Sequence, residues 1–263
     1  ESLLHLISQT QYLIVDEAHS AIAETYETCI NAFISNDHTM ILGLSATPMR
    51  SDPLENEMLR RLFSGNLVSV RDSDGQSLDD PIGYLQEHKY LAKIETNTLD
   101  TGFSSQETSE RTILQALSED SERNELIMQQ IELANSKNDK TLVFACTLDH
   151  VLALFIMCES KGFSAGFIIG DTPQSERLKI LDEFNTGDIN VLINLEILST
   201  GIDLPNLDRL ILTRPVRSDV MYSQIVGRAL RGPLNGGNER NVIVNILDNI
   251  NYYSGMALLY DSF

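Results

Sequence analysis

Asp16 and Glu17 stand side by side, followed by Ala18 and His19 and preceded by the apolar run Tyr12-Leu13-Ile14-Val15. Adjacent carboxylates at the end of a strand can diverge and divide labour. One, Asp16, offers hard oxygens to a magnesium ion, which keeps waters and substrate phosphates as its other ligands. The other, Glu17, can orient and deprotonate an attacking water. Exposed Asp-Glu pairs are common; the apolar strand in front and His19 three residues after Asp16 set this one apart. Near the far end runs Gln224-Ile225-Val226-Gly227-Arg228-Ala229-Leu230-Arg231. On a helix, Arg228 and Arg231 would share a face. Planar guanidinium groups suit phosphate oxygens and the charge that builds on a transferring phosphoryl group. Gln224, one turn earlier, would address the γ-phosphate or the water. One expected part is absent from the 263 residues: no G-x-x-x-x-G-K-[ST] loop occurs to cradle the phosphates.

The elements that must position these groups follow a β–α–β rhythm. Short apolar runs at 12–15 and 40–44 are of the kind seen in parallel strands covered on both faces, with a helix predicted over 21–33 between them. Both end in polar residues, as expected where ligands sit at the carboxyl ends of parallel strands. The second run leads into Ser45-Ala46-Thr47-Pro48, whose hydroxyls can reach His19 and the carboxylates across neighbouring strand ends. The alternative for this tetrapeptide is a capped turn.

A helix is predicted over 54–63, a polar loop over 71–81 and a strand over 90–94. The Thr-, Ser- and Gly-rich stretch within 98–110 reads as a linker. Beyond it come a long helix over 111–135, strands at 141–145, 164–169, 190–194, 209–213 and 241–247, and helices over 149–160, 173–184 and 219–231. Strands alternating with helices of this length predict a parallel sheet covered on both faces. Thr200, Gly201 and Asp203 follow the strand at 190–194. A hydroxyl and an amide there suit a phosphate, although a glycine turn with a capping aspartate would look the same.

Taken together these segments resemble superfamily-2 helicases. The strand with Asp16-Glu17-Ala18-His19 and then Ser45-Ala46-Thr47-Pro48 is similar to motifs II and III. Leu142-Val143-Phe144-Ala145-Cys146-Thr147 resembles motif IV. Phe184-Asn185-Thr186-Gly187, Val191-Leu192-Ile193-Asn194 and Ser199-Thr200-Gly201-Ile202-Asp203-Leu204-Pro205 resemble motif V and its lead-in, and the run 224–231 matches the Q-x-x-G-R-x-x-R of motif VI. Flanking phrases, among them Met49-Arg50-Ser51-Asp52 and Asp248-Asn249, are similar to the group holding type III restriction subunits and the bacterial relatives of the XPB repair motor.

The resemblance implies an α/β fold of two RecA-like parallel-sheet lobes, the first truncated at its N-terminus and the second complete. Expected boundaries are 1–100 for the rest of lobe 1, 101–110 for the linker and 111–263 for lobe 2. It implies ATP and Mg2+ as cofactors, with Asp16 on the metal, Glu17, Gln224, Arg228 and Arg231 catalytic, and His19, Gly201 and Asp203 near the nucleotide. Ser45, Thr47, Thr147 and Thr200 would touch nucleic acid or couple it to hydrolysis. The longer protein is expected to be an ATP-dependent helicase or translocase, with DNA favoured over RNA as its track and protein partners or appended domains possible. The chain by itself, lacking the phosphate loop, is expected to be inactive. Alternatives are an RNA-directed DExH helicase, a restriction or antiphage motor, and a non-catalytic scaffold that keeps the fold.

The net charge of −19 excludes a simple basic module that coats phosphates. Any nucleic-acid track must then rely on backbone amides, helix N-termini and hydroxyls. No apolar stretch is long enough to span a bilayer, so no membrane association is expected. Cys29, Cys146 and Cys158 form no C-x-x-C and read as buried thiols of a reducing, cytoplasmic compartment.

Overall fold

The computed structural model describes residues 3–36, 38–45, 52–69, 71–195, 204, 206–216, 221–222, 225–227 and 231–250. The chain divides into a front unit, Glu1–Leu78, and a back unit, Asp79–Phe263.

The front unit runs α1 (Leu3–Gln9), β1 (Tyr12–Val15), α2 (Glu24–Ile34), β2 (Met40–Gly43) and α3 (Pro53–Leu62). β1 and β2 pair in parallel, from Tyr12 opposite Met40 to Val15 opposite Gly43. One face of this pair is packed: Val15, Ala18, Ala21, Ile30 and Leu59 are buried, with Leu13, Ile41 and Phe63 against them. Strand alternation sends Tyr12, Ile14, Met40 and Leu42 to the other face, where they are exposed. The burial on both faces expected from the apolar runs is therefore met on one face only, because the helices of this unit pack on a single side. Asp52 caps α3 by accepting from the Leu54 amide at 2.7 Å, with Pro53 in the first turn where no amide is required.

The back unit holds α4 (Pro81–Glu87), β3 (Lys93–Ser105), α5 (Glu110–Glu119), α6 (Ser121–Ser136), β4 (Thr141–Phe144), α7 (Leu148–Ser160), β5 (Ala165–Ile168), α8 (Gln174–Thr186), β6 (Val191–Asn194), β7 (Arg209–Leu212) and β8 (Arg240–Ile250). Its sheet has the order β3-β8-β7-β4-β6-β5, and every neighbouring pair is parallel. Side chains alternate into two cores. Leu142, Phe144, Leu192, Leu210 and Leu212 meet Ile113 and Leu117 of α5, Phe184 of α8 and Tyr222. Val143, Ile193, Ile211 and Val244 meet Ile127, Met128 and Ile131 of α6 and Leu154 of α7. This is the expected parallel sheet covered on both faces.

Three local expectations change. The stretch read as a linker lies partly inside β3, whose residues Thr98, Leu99 and Asp100 pair with Asn245, Ile246 and Leu247 of β8. Its hydroxyl-rich composition hides an edge strand, and the division between units falls at Leu78/Asp79 instead. The helix predicted over 111–135 is two helices. Asp120 breaks it by turning extended and accepting from the Arg123 amide at 2.7 Å as the cap of α6. In the helix predicted over 219–231, the described residues 221–222 and 225–227 are helical, but Arg231 is not. It forms an antiparallel bridge with Leu91, so the shared helical face does not extend to it.

Among the described residues, no helix is long and apolar enough to cross a membrane.

Leu117 is fully buried under the sheet. Leu117→Ala is expected to destabilise the back unit by about 2–5 kcal/mol in urea unfolding; a change below about 0.5 kcal/mol would show that α5 is not packed as described.

Candidate nucleotide and nucleic-acid site

In the front unit, the Leu44 amide donates to Val15 O at 2.8 Å and the Ala18 amide to Leu44 O at 2.8 Å. The acidic turn is thereby stitched to the end of β2. Gly43 permits this closeness: a Cβ there would lie 2.7 Å from the Phe63 ring and 2.8 Å from Ala18 Cβ. Glu17 adopts a left-handed backbone, φ 49° and ψ 48°, a conformation that non-glycine residues take at an energetic cost and that concentrates at functional sites. Its amide donates to Asp16 Oδ1 at 2.9 Å. Asp16 and Glu17 are both exposed, while His19 beside them is buried. His19 Nδ1 lies 3.1 Å from Ser45 Oγ and 3.4 Å from Glu17 Oε2. The His19–Ser45 contact expected across the strand ends is formed, and it joins the carboxylate turn to the segment after β2.

Among the described residues, no group of three or more His, Cys, Asp or Glu side chains could hold a metal by itself. An exposed carboxylate at a strand end suits magnesium when phosphates and waters complete the shell, and Asp16 fits that role.

In the back unit, the turn after β4 carries Cys146 and Thr147. Thr147 caps α7, its hydroxyl accepting from the His150 amide at 3.1 Å. The turn sits on a buried polar network absent from the sequence reading. Arg123 Nε donates to Asp248 Oδ1 at 2.9 Å and Nη2 to Asp248 Oδ2 at 3.0 Å, with both side chains essentially inaccessible. Arg123 Nη2 also donates to Thr213 O, and Thr101 Oγ1 to Asp248 Oδ1 at 2.6 Å. The Cys146 thiol donates to Thr213 O at 3.2 Å, and the Thr213 hydroxyl to Phe144 O at 2.6 Å. The Cys146 amide donates to His150 Nδ1 at 3.1 Å, and His150 Nε2 lies 2.9 Å from Asn124 Oδ1. With Nδ1 accepting, Nε2 carries the proton and donates to Asn124.

Burial, with Arg123⁺ as a lesser cause, lowers the His150 pKa to about 3, so the ring is neutral. Burial pushes the Cys146 thiol up against the opposing pull of Arg123, so it stays a thiol. Cys29, by contrast with the expectation of three buried thiols, is exposed. Asn194, at the carboxyl end of β6, is buried with neither amide atom hydrogen-bonded among the described residues, at the end of the sheet where parallel folds place ligands.

Arg231, the last residue of the helix predicted over 219–231, is half-buried and not helical. Thr47, Thr200, Gly201, Asp203, Gln224 and Arg228 lie outside the described residues.

The helicase conserved C-terminal domain matches residues 122–233, and the type III restriction enzyme res subunit matches residues 1–50. The chain belongs to the superfamily-2 helicases. IRC3 of Saccharomyces cerevisiae, named as an ATP-dependent helicase, is 31% identical over 229 residues, covering 83% of this helicase chain and 32% of IRC3. DEAD-box ATP-dependent RNA helicase 10 of Arabidopsis thaliana is 25% identical over 231 residues, covering 88% of the chain and 43% of that protein. Among solved structures, a Vibrio vulnificus fragment assigned as the HsdR subunit of a type I restriction enzyme aligns with TM-score 0.66 at 18% identity. That alignment covers 99% of this chain and 48% of the fragment. Saccharomyces cerevisiae Dbp5 bound to RNA and ADP BeF3 aligns with TM-score 0.58 at 16% identity, covering 99% and 62%. Both share the fold. The helicase chain spans about a third to two-fifths of the length of the curated relatives it matches.

The neutral, buried His150 sets a pH dependence. Below pH 6.5 the unfolded chain takes up a proton that the folded ring refuses until about pH 3, so stability present above 6.5 is lost as pH falls through that window. The loss from this residue is about 1.4 kcal/mol per pH unit. Comparing wild type with His150→Gln by chemical unfolding from pH 7 to 4.5 is expected to show a shallower decline in the variant; equal slopes would place a charged or solvated imidazole at this position.

Proposed function

We propose that the complete protein is an ATP-dependent helicase or translocase that moves along nucleic acid, DNA in preference to RNA. The observation that carries this reading is the acidic turn. Glu17 is held in a left-handed conformation, and His19 ties its neighbourhood to Ser45, so the group that would activate water is linked to the next strand end. The DNA preference draws support from the type III restriction match over residues 1–50.

In this reading Asp16 holds the metal, and Glu17 accepts the proton of the attacking water. When bound, magnesium neutralises charge on the terminal phosphates. Gln224 orients the water or the γ-phosphate, and Arg228 and Arg231 stabilise charge developing in the transition state. Gly201 and Asp203 approach the nucleotide. Ser45 and Thr47 relay its state, while Thr200 and Thr147, the latter at the amino end of α7, donate to backbone phosphates. The 263 residues contain no lysine-bearing glycine loop, so ATP turnover requires such a loop from elsewhere in the complete protein.

Hydrolysis by the complete protein, measured with and without DNA or RNA, is expected to fall at least about 100-fold in Glu17→Gln while ATP binding persists. Unchanged hydrolysis would remove Glu17 from its role. The 263-residue chain alone is expected to show no turnover, and measurable turnover by it would refute the requirement for an added loop.

A further inference from the structure

The back unit begins with an arrangement that no helicase motif accounts for. α4 is followed by a segment, residues 89–92, that turns at Lys89, whose φ is 62°, and folds back onto the helix. The Tyr90 and Leu91 amides donate to Leu85 O at 2.9 and 3.1 Å, and Gln86 Nε2 to Ala92 O at 3.1 Å. The outer edge of the same segment clasps the residues leaving motif VI. Leu91 and Arg231 form an antiparallel bridge. The Gly232 amide donates to Tyr90 O at 3.1 Å, the Leu234 amide to Lys89 O at 3.1 Å, and Asn235 Nδ2 to Tyr90 O at 2.8 Å. Lys89 Nζ meets Glu239 Oε1 at 2.9 Å, and the Lys93 amide donates to Glu239 O at 3.0 Å as β3 begins.

The clasp leaves no room for side chains. A Cβ on Gly232 would lie 2.5 Å from Lys89 O, and one on Gly237 would lie 2.1 Å from Arg231 O. Both obstacles are backbone atoms that cannot rotate away. Two glycines thus allow the backbone at and just after Arg231 to be gripped.

We propose that residues 89–92 are a positioning strap for Arg231. The inference rests on the role assigned above to that arginine. Arg231 lies outside the helix, and the bridge to Leu91, with the bonds from Gly232 to Tyr90 and from Leu234 to Lys89, holds the backbone there. A guanidinium stabilises a transition state only when held in its working geometry, and a displacement of about 1 Å can cost about 100-fold in rate. The strap lies just after the Leu78/Asp79 division. The covalent path from the front unit therefore passes over the backbone of Arg231 before entering the sheet, which makes the connecting segment part of the catalytic alignment as well as a tether.

The test is steady-state ATPase of the complete protein. Gly232→Ala is expected to lower kcat about tenfold or more with KM for ATP within about twofold, the signature of an interaction realised in the transition state. Asn235→Ala, at an exposed residue whose loss leaves the fold intact, is expected to lower kcat about threefold. Leu234→Ala, where only the backbone bonds to the strap, is expected to match wild type. Arg231→Ala combined with Asn235→Ala is expected to be no slower than Arg231→Ala alone, because the strap acts through that arginine. Wild-type kcat in Asn235→Ala and in folded Gly232→Ala, or losses that multiply in the double variant, would overturn the proposal. A rate that Arg231→Ala leaves intact would instead strike the assignment of Arg231, and the strap with it.

Discussion

Arg123 and Asp248 form an ion pair from which water is excluded, and the carboxyl edge of the back sheet is organised around it. The guanidinium enters from the first turn of α6 and the carboxylate from β8; Thr101 of β3 adds a hydroxyl, and the strand ends after β4 and β7 supply Cys146 and Thr213 O. A buried charge is costly unless it is paired and its remaining donors are met. Here the carboxylate takes a bidentate pair and a hydroxyl, and the guanidinium also reaches main-chain oxygens. Such a pair adds little net stability over apolar side chains of equal volume, but it tolerates one arrangement of its partners. That selectivity fixes the height at which Cys146 and Thr147 leave the sheet, and with it the amino end of α7.

The front unit solves a similar problem without charge burial. Its acidic turn is aligned by two amide bonds to β2, by the bare Cα of Gly43 against Phe63, and by His19 beneath the exposed carboxylates. Within the turn, backbone strain is accepted at Glu17, which with Ser64 is one of two non-glycine residues with positive φ among the described residues of this unit. The opposite face of β1 and β2 presents Tyr12, Ile14, Met40 and Leu42 to solvent, an apolar surface set by strand alternation.

The motifs were legible because their chemistry is local: four residues after an apolar strand suffice to place a carboxylate pair. Strands β4 to β7 were legible for the same reason, as apolar runs buried on both faces carry their own boundaries. What stayed hidden depended on distant partners. β3 reads as a polar linker because its pairing with β8 spends backbone groups, not side chains, and its outward residues are hydrophilic. Asp120 looks like any acidic residue within a helical period, yet its capping bond to Arg123 splits that helix. Arg123, Asn124 and His150 show no spacing that marks them, since the network closes across separations of 26 to 125 residues. Arg231 was assigned to a helix by its spacing from Arg228, and only the bridge to Leu91 reveals the extended backbone there.

The charge balance now acquires a structural meaning. Several cations are committed to acidic neighbours: Arg209 to Asp139, Arg214 to Glu110, Lys161 to Glu132, Lys89 to Glu239 and Arg61 to Glu57. With a net charge of −19, long-range attraction of a polyanion to this part of the protein is unfavourable, and binding by counterion release is correspondingly small. In the proposed reading the contacts are instead short-range and directional: the amides and hydroxyl at the start of α7, held in place by a network whose histidine is uncharged. Such donors discriminate by geometry, engaging a phosphate that arrives at the right distance and ignoring one that does not. A motor needs contacts that form and release with each step. Weak, well-placed dipoles serve that requirement better than a dense cationic surface, whose grip would persist through the cycle.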